Sequence, residues 1–283
     1  MWPDSGGYRT TFNPVPSLER RGVRIICLLW LLSQDPGGGR ELRPWTDDFS
    51  HLYEGYVRFI IGGLGEALVG GRYVPDIPWR AAADQSGQID GLISSSGTLF
   101  IIEVKASILR RPTLEGGTVE ALREELERKF IFGEAGKPKG LRQLARAIDW
   151  LMRERRHGRM VAGIDLTSID TIVPVLIVAD RGLRFPGLGE WFDYRMRQLL
   201  RRSWGRVGPL TICGAEDLEG LEQLARQGEA RLVDFLFEYS KRFRNGEQPL
   251  WRILPAAAKP HPRLDAIMDA WIRELQTRRV LPA

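Results

Sequence analysis

Thiol and imidazole chemistry are almost missing from this chain. Its two cysteines are Cys27 and Cys213, and its three histidines, His51, His157 and His261, stand far apart in sequence. No spacing among them suits a thiolate zinc site, a disulfide framework or a His/Cys metal centre. Cysteine usage therefore reads as that of a reduced, cytoplasmic protein. Long apolar runs are missing too. The run from Ile25 to Leu32, behind Arg20, Arg21 and Arg24, is far too short to span a bilayer. It starts late for a signal peptide and lacks a small-residue cleavage site, so it reads as a buried helix in an N-terminal extension, with no membrane partner. Internal repeats and low-complexity tracts are absent. The glycines of "GGLGEALVGG", ending at Gly71, follow no strand and precede no Lys-Ser/Thr pair. They fail as a phosphate-binding loop and read as a helix end and a turn.

What is present is ordinary in amount and unusual in placement. The chain has 283 residues, of which 43% are hydrophobic and 27% charged, with a formal net charge of +5. That size and composition fit a globular protein with one large domain and appendages, and the positive balance favours an anionic partner such as nucleic acid. Residues 34–44, rich in Pro and Gly, read as a linker. A helix is expected from about His51 to Val69, capped by Asp47 or Ser50, with Leu52, Tyr56, Phe59, Ile60 and Leu64 as its apolar stripe and Glu54 near its start. Short strands follow around Tyr73 to Pro75, over 88–94 and over 98–107, the last two joined as a hairpin. Helices over 118–130 and 141–155, a buried strand over 171–180, a helix over 188–203, a short strand near 211 and further helices complete the order. Strands interleaved with helices predict an α/β fold, a mixed central sheet flanked by helices. The expected division is an extension and linker over 1–44, the α/β domain over 45–255 and a helical tail over 256–283.

The stretch "QIDGLISSSGTLFIIEVKAS" (88–107) places Asp90, Glu103 and Lys105 among apolar residues. Alternation puts Glu103 and Lys105 on one strand face. A two-residue turn at Ser96-Gly97 sets Asp90 opposite Glu103, and a four-residue turn sets it opposite Ile101, diagonal to Glu103. A three- or five-residue loop would put it on the other face. Two carboxylates buried together repel and are costly to desolvate. A divalent cation relieves both problems. Asp90, Glu103 and the main-chain carbonyl of Val104 are a donor set suited to Mg²⁺ or Mn²⁺, with places left for water and a phosphate oxygen. Lys105 beside them would orient or deprotonate an attacking water. These parts suit hydrolysis of a phosphodiester.

Asp90, then twelve residues, then Glu103-Val104-Lys105 resembles the PD-(D/E)xK nuclease superfamily, whose restriction-endonuclease-like core is a mixed sheet with flanking helices. The resemblance covers roughly residues 50–180. It implies that Glu54, on the first core helix, adds an acid to the metal site. It also implies that Gln143, on the helix after the lysine strand, contacts the metal-bound water or a phosphate, although Ala147 stands where the longer Gln-x-x-x-Tyr pattern has its Tyr. The activity implied is that of a Mg-dependent endo- or exodeoxyribonuclease, in defence against foreign DNA or in repair or mobile-element processing. The alternatives are an RNA-cleaving member and a catalytically silent nucleic-acid-binding module.

Basic residues suggest where the polymer lies. Lys137 and Lys139, in a Gly-rich loop before the Gln143 helix, are expected nearest the substrate backbone. Arg201, Arg202 and Arg206, with Trp204, are expected to add phosphate contacts. A homo-oligomer or a regulatory protein partner is expected to restrain such an activity, with the apolar helix at 25–32 and the Leu264, Ile267, Met268, Trp271, Leu275 stripe as contact surfaces.

Overall fold

The computed structural model describes residues 43–68, 70–82, 85–107, 109, 117–132, 139–184, 187–201 and 204–226, together with 273 and 277. The chain divides into two compact units, Phe49–His261 and a second made of Met1–Asp48 with Pro262–Ala283. Apart from the start of the first helix and the two isolated positions, the second unit lies outside the described residues. So do the helices expected at 25–32 and 263–278 and the one expected after 226. Among the described residues no helix is long and apolar enough to cross a membrane.

Helix α1 runs Arg43–Ala67, eight residues longer at its N-terminus than the expected start at His51. Pro44 is the reason. It reads as a breaker in sequence, yet in the first turn of a helix its missing N–H costs nothing and its ring fits. Tyr56, Val57, Ile60, Ile61 and Leu64 form the buried stripe, whereas Phe59 is 56% exposed and leaves the stripe it was expected to join. Strands β1 (Arg72–Ala82), β2 (Gln85–Ser95) and β3 (Thr98–Lys105) follow. Helix α2 (Val119–Glu127) is capped by Thr118, whose hydroxyl accepts from the Ala121 amide at 3.2 Å. It leads into a π-helical turn, Arg128–Phe132, that buries Phe130 and Ile131. Helix α3 spans Gly140–Arg156. A small hairpin, β4 (Met160–Val161) and β5 (Ile164–Asp165), precedes β6 (Thr171–Val178). Helix α4 (Leu188–Leu199), β7 (Thr211–Cys213) and α5 (Ala215–Arg226) complete the described elements.

The main sheet has the order β1-β2-β3-β6-β7. Strands β1, β2 and β3 pair antiparallel, and β3, β6 and β7 pair parallel. The expected α/β class with a mixed, helix-flanked sheet is therefore the observed one. Pro174 falls between the isolated Ile172–Val207 bridge and the β6–β7 ladder that begins at Val175, where a missing N–H interrupts nothing.

Helices cover both faces of the sheet. Leu99 and Ile101 of β3 join the large apolar cluster that includes Leu144 and Ile148 of α3 and Phe192 of α4. Phe100 and Ile102, alternating with them, face Ile61 and Leu64 of α1 and Leu218 and Leu221 of α5. Every residue of β3 before Lys105 is buried, as a central strand requires.

Close approach of α1 to the edge strand β1 depends on glycine. A Cβ at Gly65 would lie 2.6 Å from the Tyr73 Cβ and 3.3 Å from the Tyr73 amide, and one at Gly91 would lie 2.9 Å from the Tyr73 ring. Gly65→Ala is expected to push helix and strand apart and to cost about 1–3 kcal/mol, the usual range for overpacking. The check is a shift of the denaturation midpoint with an unchanged slope in urea.

Candidate active site

The hairpin that carries the acidic and basic residues closes through the tightest of the turns considered. Ser95 pairs with Thr98 and Ser94 with Leu99, leaving Ser96 (φ 47°) and Gly97 (φ 75°) as the two loop residues. Both lie in the left-handed region, the type I′ geometry that matches strand twist. This register points Asp90 at Glu103, as expected, but the ladder ends one step earlier, at Gly91 and Ile102. Beyond that point a side chain replaces a strand carbonyl, and the Val104 amide donates to Asp90 Oδ2 at 2.7 Å. Asp90 is thus fixed on β3 where β2 parts from it.

Glu103 is 1% exposed. Its Oε1 stands 2.6 Å from Lys105 Nζ, an ion pair across two residues of one strand face. Burial pushes the Glu103 carboxyl up to about 8. Lys105 pulls it down, and the charges of Asp90 and Glu54 add to the rise. For Lys105, burial favours loss of the proton, but the pair with Glu103 and the charges of Asp90 and Glu54 outweigh it and raise the pKa above the ordinary lysine value. Three carboxylates and one ammonium therefore share one electrostatic neighbourhood.

Glu54 reaches this neighbourhood through a contact that sequence reasoning missed. The Tyr53 hydroxyl donates to the Val178 carbonyl at 2.9 Å, and Val178 pairs in register with Lys105. Tyr53 thereby holds α1 over the C-terminal ends of β3 and β6. Because α1 begins at Arg43, Glu54 sits mid-helix, so the helix dipole gives no reason for an acid there. A Tyr beside an acid on a helix carries no signal in sequence for this contact.

The Val104 carbonyl, expected to join the acids, is oriented by alternation. The Lys105 carbonyl serves the β6 side, accepting from the Ala179 amide at 3.2 Å, so that of Val104 turns toward β2, beyond the end of the ladder. Among the described residues no group of three or more His, Cys, Asp and Glu side chains closes into a ready-made metal cage.

Gln143, on the first turns of α3, donates from Nε2 to the Gln88 carbonyl at 3.0 Å, two residues before Asp90. Gln88 in turn donates to Asp76 Oδ1 at 2.6 Å, and Arg58 pairs with the same oxygen at 2.9 Å. Gln143 therefore lies beside the acidic pocket with its amide engaged by main chain. Tyr73 packs nearby. Its phenol is pushed up to about 12 by burial, with Arg58 opposing and Asp76 and Asp90 adding to the rise.

The basic residues fall into two places. Lys139 is exposed at the N-cap of α3, one turn before Gln143, while Lys137 and Arg202 lie outside the described residues. Arg206 pairs with Asp170 at 3.2 Å and bonds the Ile169 carbonyl at 3.3 Å, at the start of β6. Lys105 faces its end, and the strand rise from Ile172 to Val178 is about 20 Å. The structure does not bring Arg206 and Glu103 together. The Arg201 amide donates to Asp149 Oδ2 at 3.0 Å, and the Trp204 indole donates to Asp149 Oδ1 at 2.7 Å. Arg156 covers the Trp204 ring at 4.6 Å. Trp204 is thus a packing anchor for the loop after α4, which explains its presence without a base to stack on.

The fold and site together define an α/β protein with a mixed five-stranded sheet and an Asp/Glu/Lys side-chain cluster at the C-terminal end of its third strand. No family model matches the chain, and neither a curated protein nor a solved structure does.

Proposed function

We propose that this chain is a metal-dependent nuclease that hydrolyses DNA phosphodiester bonds, of the PD-(D/E)xK kind. The observation that carries the reading is Glu103, a fully buried carboxylate paired with Lys105 and set beside a second carboxylate, Asp90. A purely structural role is a poor account of it, because apolar residues in the same strand would avoid the desolvation cost. The order of helix, three antiparallel strands, helix and parallel strand also agrees with that reading.

The donor set fits a hard divalent cation. Asp90, Glu103 and the Val104 carbonyl supply oxygens only, and magnesium accepts such a partial set because it keeps several waters. Glu103, drawn up to about 8 by burial and by like charges, gains most from a neighbouring positive charge. A cation held there would supply Lewis-acid polarisation of the scissile phosphate. The chain's own residues do the rest. Lys105 donates toward the water or the non-bridging oxygen, neutralising charge as it develops. With a cation on Asp90 and Glu103, the charges that hold the proton on Lys105 would be neutralised, and its Nζ would then stand ready to take a proton from the attacking water.

The test is incubation of plasmid and single-stranded DNA with Mg²⁺ or Mn²⁺, with and without chelator. Cleavage that requires the cation and is lost in Glu103→Ala supports the reading. Binding without cleavage under all conditions sinks it in favour of a silent binding module. Cleavage that Glu103→Ala leaves intact puts the reaction elsewhere.

A further inference from the structure

We infer that the shoulder of α3 beside the acidic pocket is a landing surface for a single DNA strand, with an unpaired base stacked on Phe132 and phosphates on Arg128, Lys139 and Arg142. The inference deepens the nuclease reading and takes the polymer's class from it.

Phe132 closes the π-helical turn and is 44% exposed. An isolated exposed aromatic is common, but this one is dressed for a polyanion. The Arg142 guanidinium lies 5.7 Å from the ring centroid. Arg142 has no carboxylate partner among the described residues, nor has Arg128 one turn before Phe132 or Lys139 at the N-cap of α3. Other cations do have acids: Arg123 and Arg195 pair with Glu127, Arg159 with Glu154, Arg197 with Asp193 and Arg206 with Asp170, while Arg72 and Arg153 are taken up by main-chain carbonyls and Arg156 by the half-buried Trp204 ring. An exposed ring with Arg142 over it, and Arg128 and Lys139 on the adjoining turns, suits a single-strand groove, where bases stack on aromatic faces and the phosphates meet Lys and Arg. A duplex hides its base faces and gives Phe132 nothing to stack on.

Position supports the same conclusion. Gln143 follows Arg142 on α3 and bonds the Gln88 carbonyl at 3.0 Å, two residues from Asp90. A strand lying across Phe132 and Arg142 is therefore delivered to the pocket that holds Glu103 and Lys105.

Fluorescence anisotropy of labelled oligothymidine and of a matched duplex, both in chelator so that nothing is cut, tests the inference. The full-length protein is expected to prefer the single strand. Phe132→Ala is expected to weaken that binding roughly tenfold while Phe132→Tyr retains it, as loss of one stacked base predicts. Arg142→Ala is expected to lower the salt dependence of binding by about one unit of slope. Thermal melting of each variant, unchanged for an exposed side chain, keeps the comparison clean. Binding by Phe132→Ala equal to wild type, a preference for duplex, or no binding at all overturns the inference. A protein that binds oligothymidine through Phe132 yet cuts no DNA with Mg²⁺ or Mn²⁺ keeps the strand surface and loses the nuclease reading. One that cuts while Phe132→Ala changes nothing does the reverse.

Discussion

Lys105→Met is expected to slow DNA cleavage by about 10²–10⁴-fold, the range typical of a group that moves a proton in the transition state. Methionine keeps the apolar stem that fills the end of β3 and removes only the amine, so the loss reads chemistry more than packing. Lys105→Arg is the informative companion. Arginine restores the charge and the ion pair with Glu103, but it does not give up its proton near neutral pH. If Lys105 acts as a proton acceptor, Lys105→Arg stays as slow as Lys105→Met. If its work is electrostatic, Lys105→Arg recovers much of the rate. Single-turnover rates with Mg²⁺ across pH separate the two, and a Lys105→Met protein that cuts at the wild-type rate removes Lys105 from the mechanism. DNA affinity measured in chelator is expected to change little in either variant.

Glu103 carries the second large effect, and it acts on stability. Its carboxyl is raised to about 8 in the folded protein, chiefly by burial, against an ordinary glutamate value near 4.3 when unfolded. A group raised on folding binds its proton more tightly in the native state. The stability this contributes is fully present below the unfolded pKa and is lost as pH rises through the folded one. In chelator, the wild-type melting temperature is therefore expected to fall between pH 5 and 8. Glu103→Gln, which cannot ionise, removes that slope. By pH 8 the difference is on the order of a few kcal/mol in favour of the variant. Lys105 does not reverse the sign, because its own raised pKa lies above this window. Added Mg²⁺ is expected to restore wild-type stability at pH 8 and leave Glu103→Gln less affected. A wild-type melting curve flat from pH 5 to 8 without metal would falsify the assignment of Glu103 as a buried carboxylate under strain from its neighbours.

Much of this site was legible in the chain itself. Strand parity placed Glu103 and Lys105 on one face, and the Ser-Ser-Gly stretch marked the hairpin turn. The two-residue loop then followed from residues that tolerate positive φ, Ser96 less readily than Gly97. What parity could not show is where a ladder stops. The pairing of β2 with β3 ends at Gly91 and Ile102, and beyond it Asp90 takes the Val104 amide for itself, a competition between side chain and main chain that alternation does not encode. Likewise the apolar stripe of α1 was readable, but Phe59 was misplaced within it. Helical spacing alone admits several neighbouring faces, and the packing of Tyr56, Ile60 and Leu64 selected one that leaves Phe59 outward.

The chain by itself determined the class of fold, the hairpin and the shared strand face of Glu103 and Lys105, because alternation and turn geometry act over a few neighbours and leave a periodic trace. Only tertiary structure decided which distant residues join them. Glu54 enters through Tyr53 and the carbonyl of Val178, Gln143 through the carbonyl of Gln88, and both contacts use main-chain oxygens that are the same for any sequence. The arginines after α4 show the opposite outcome. They resemble Lys139 and Arg142 in composition, yet the loop that carries Arg206 bonds to the start of β6, at the far end of the strand from Lys105, and there Arg206 pairs with Asp170. Net charge records how many cations a chain has. Where each one finds its partner depends on strand order and register, and those are settled only when the sheet closes.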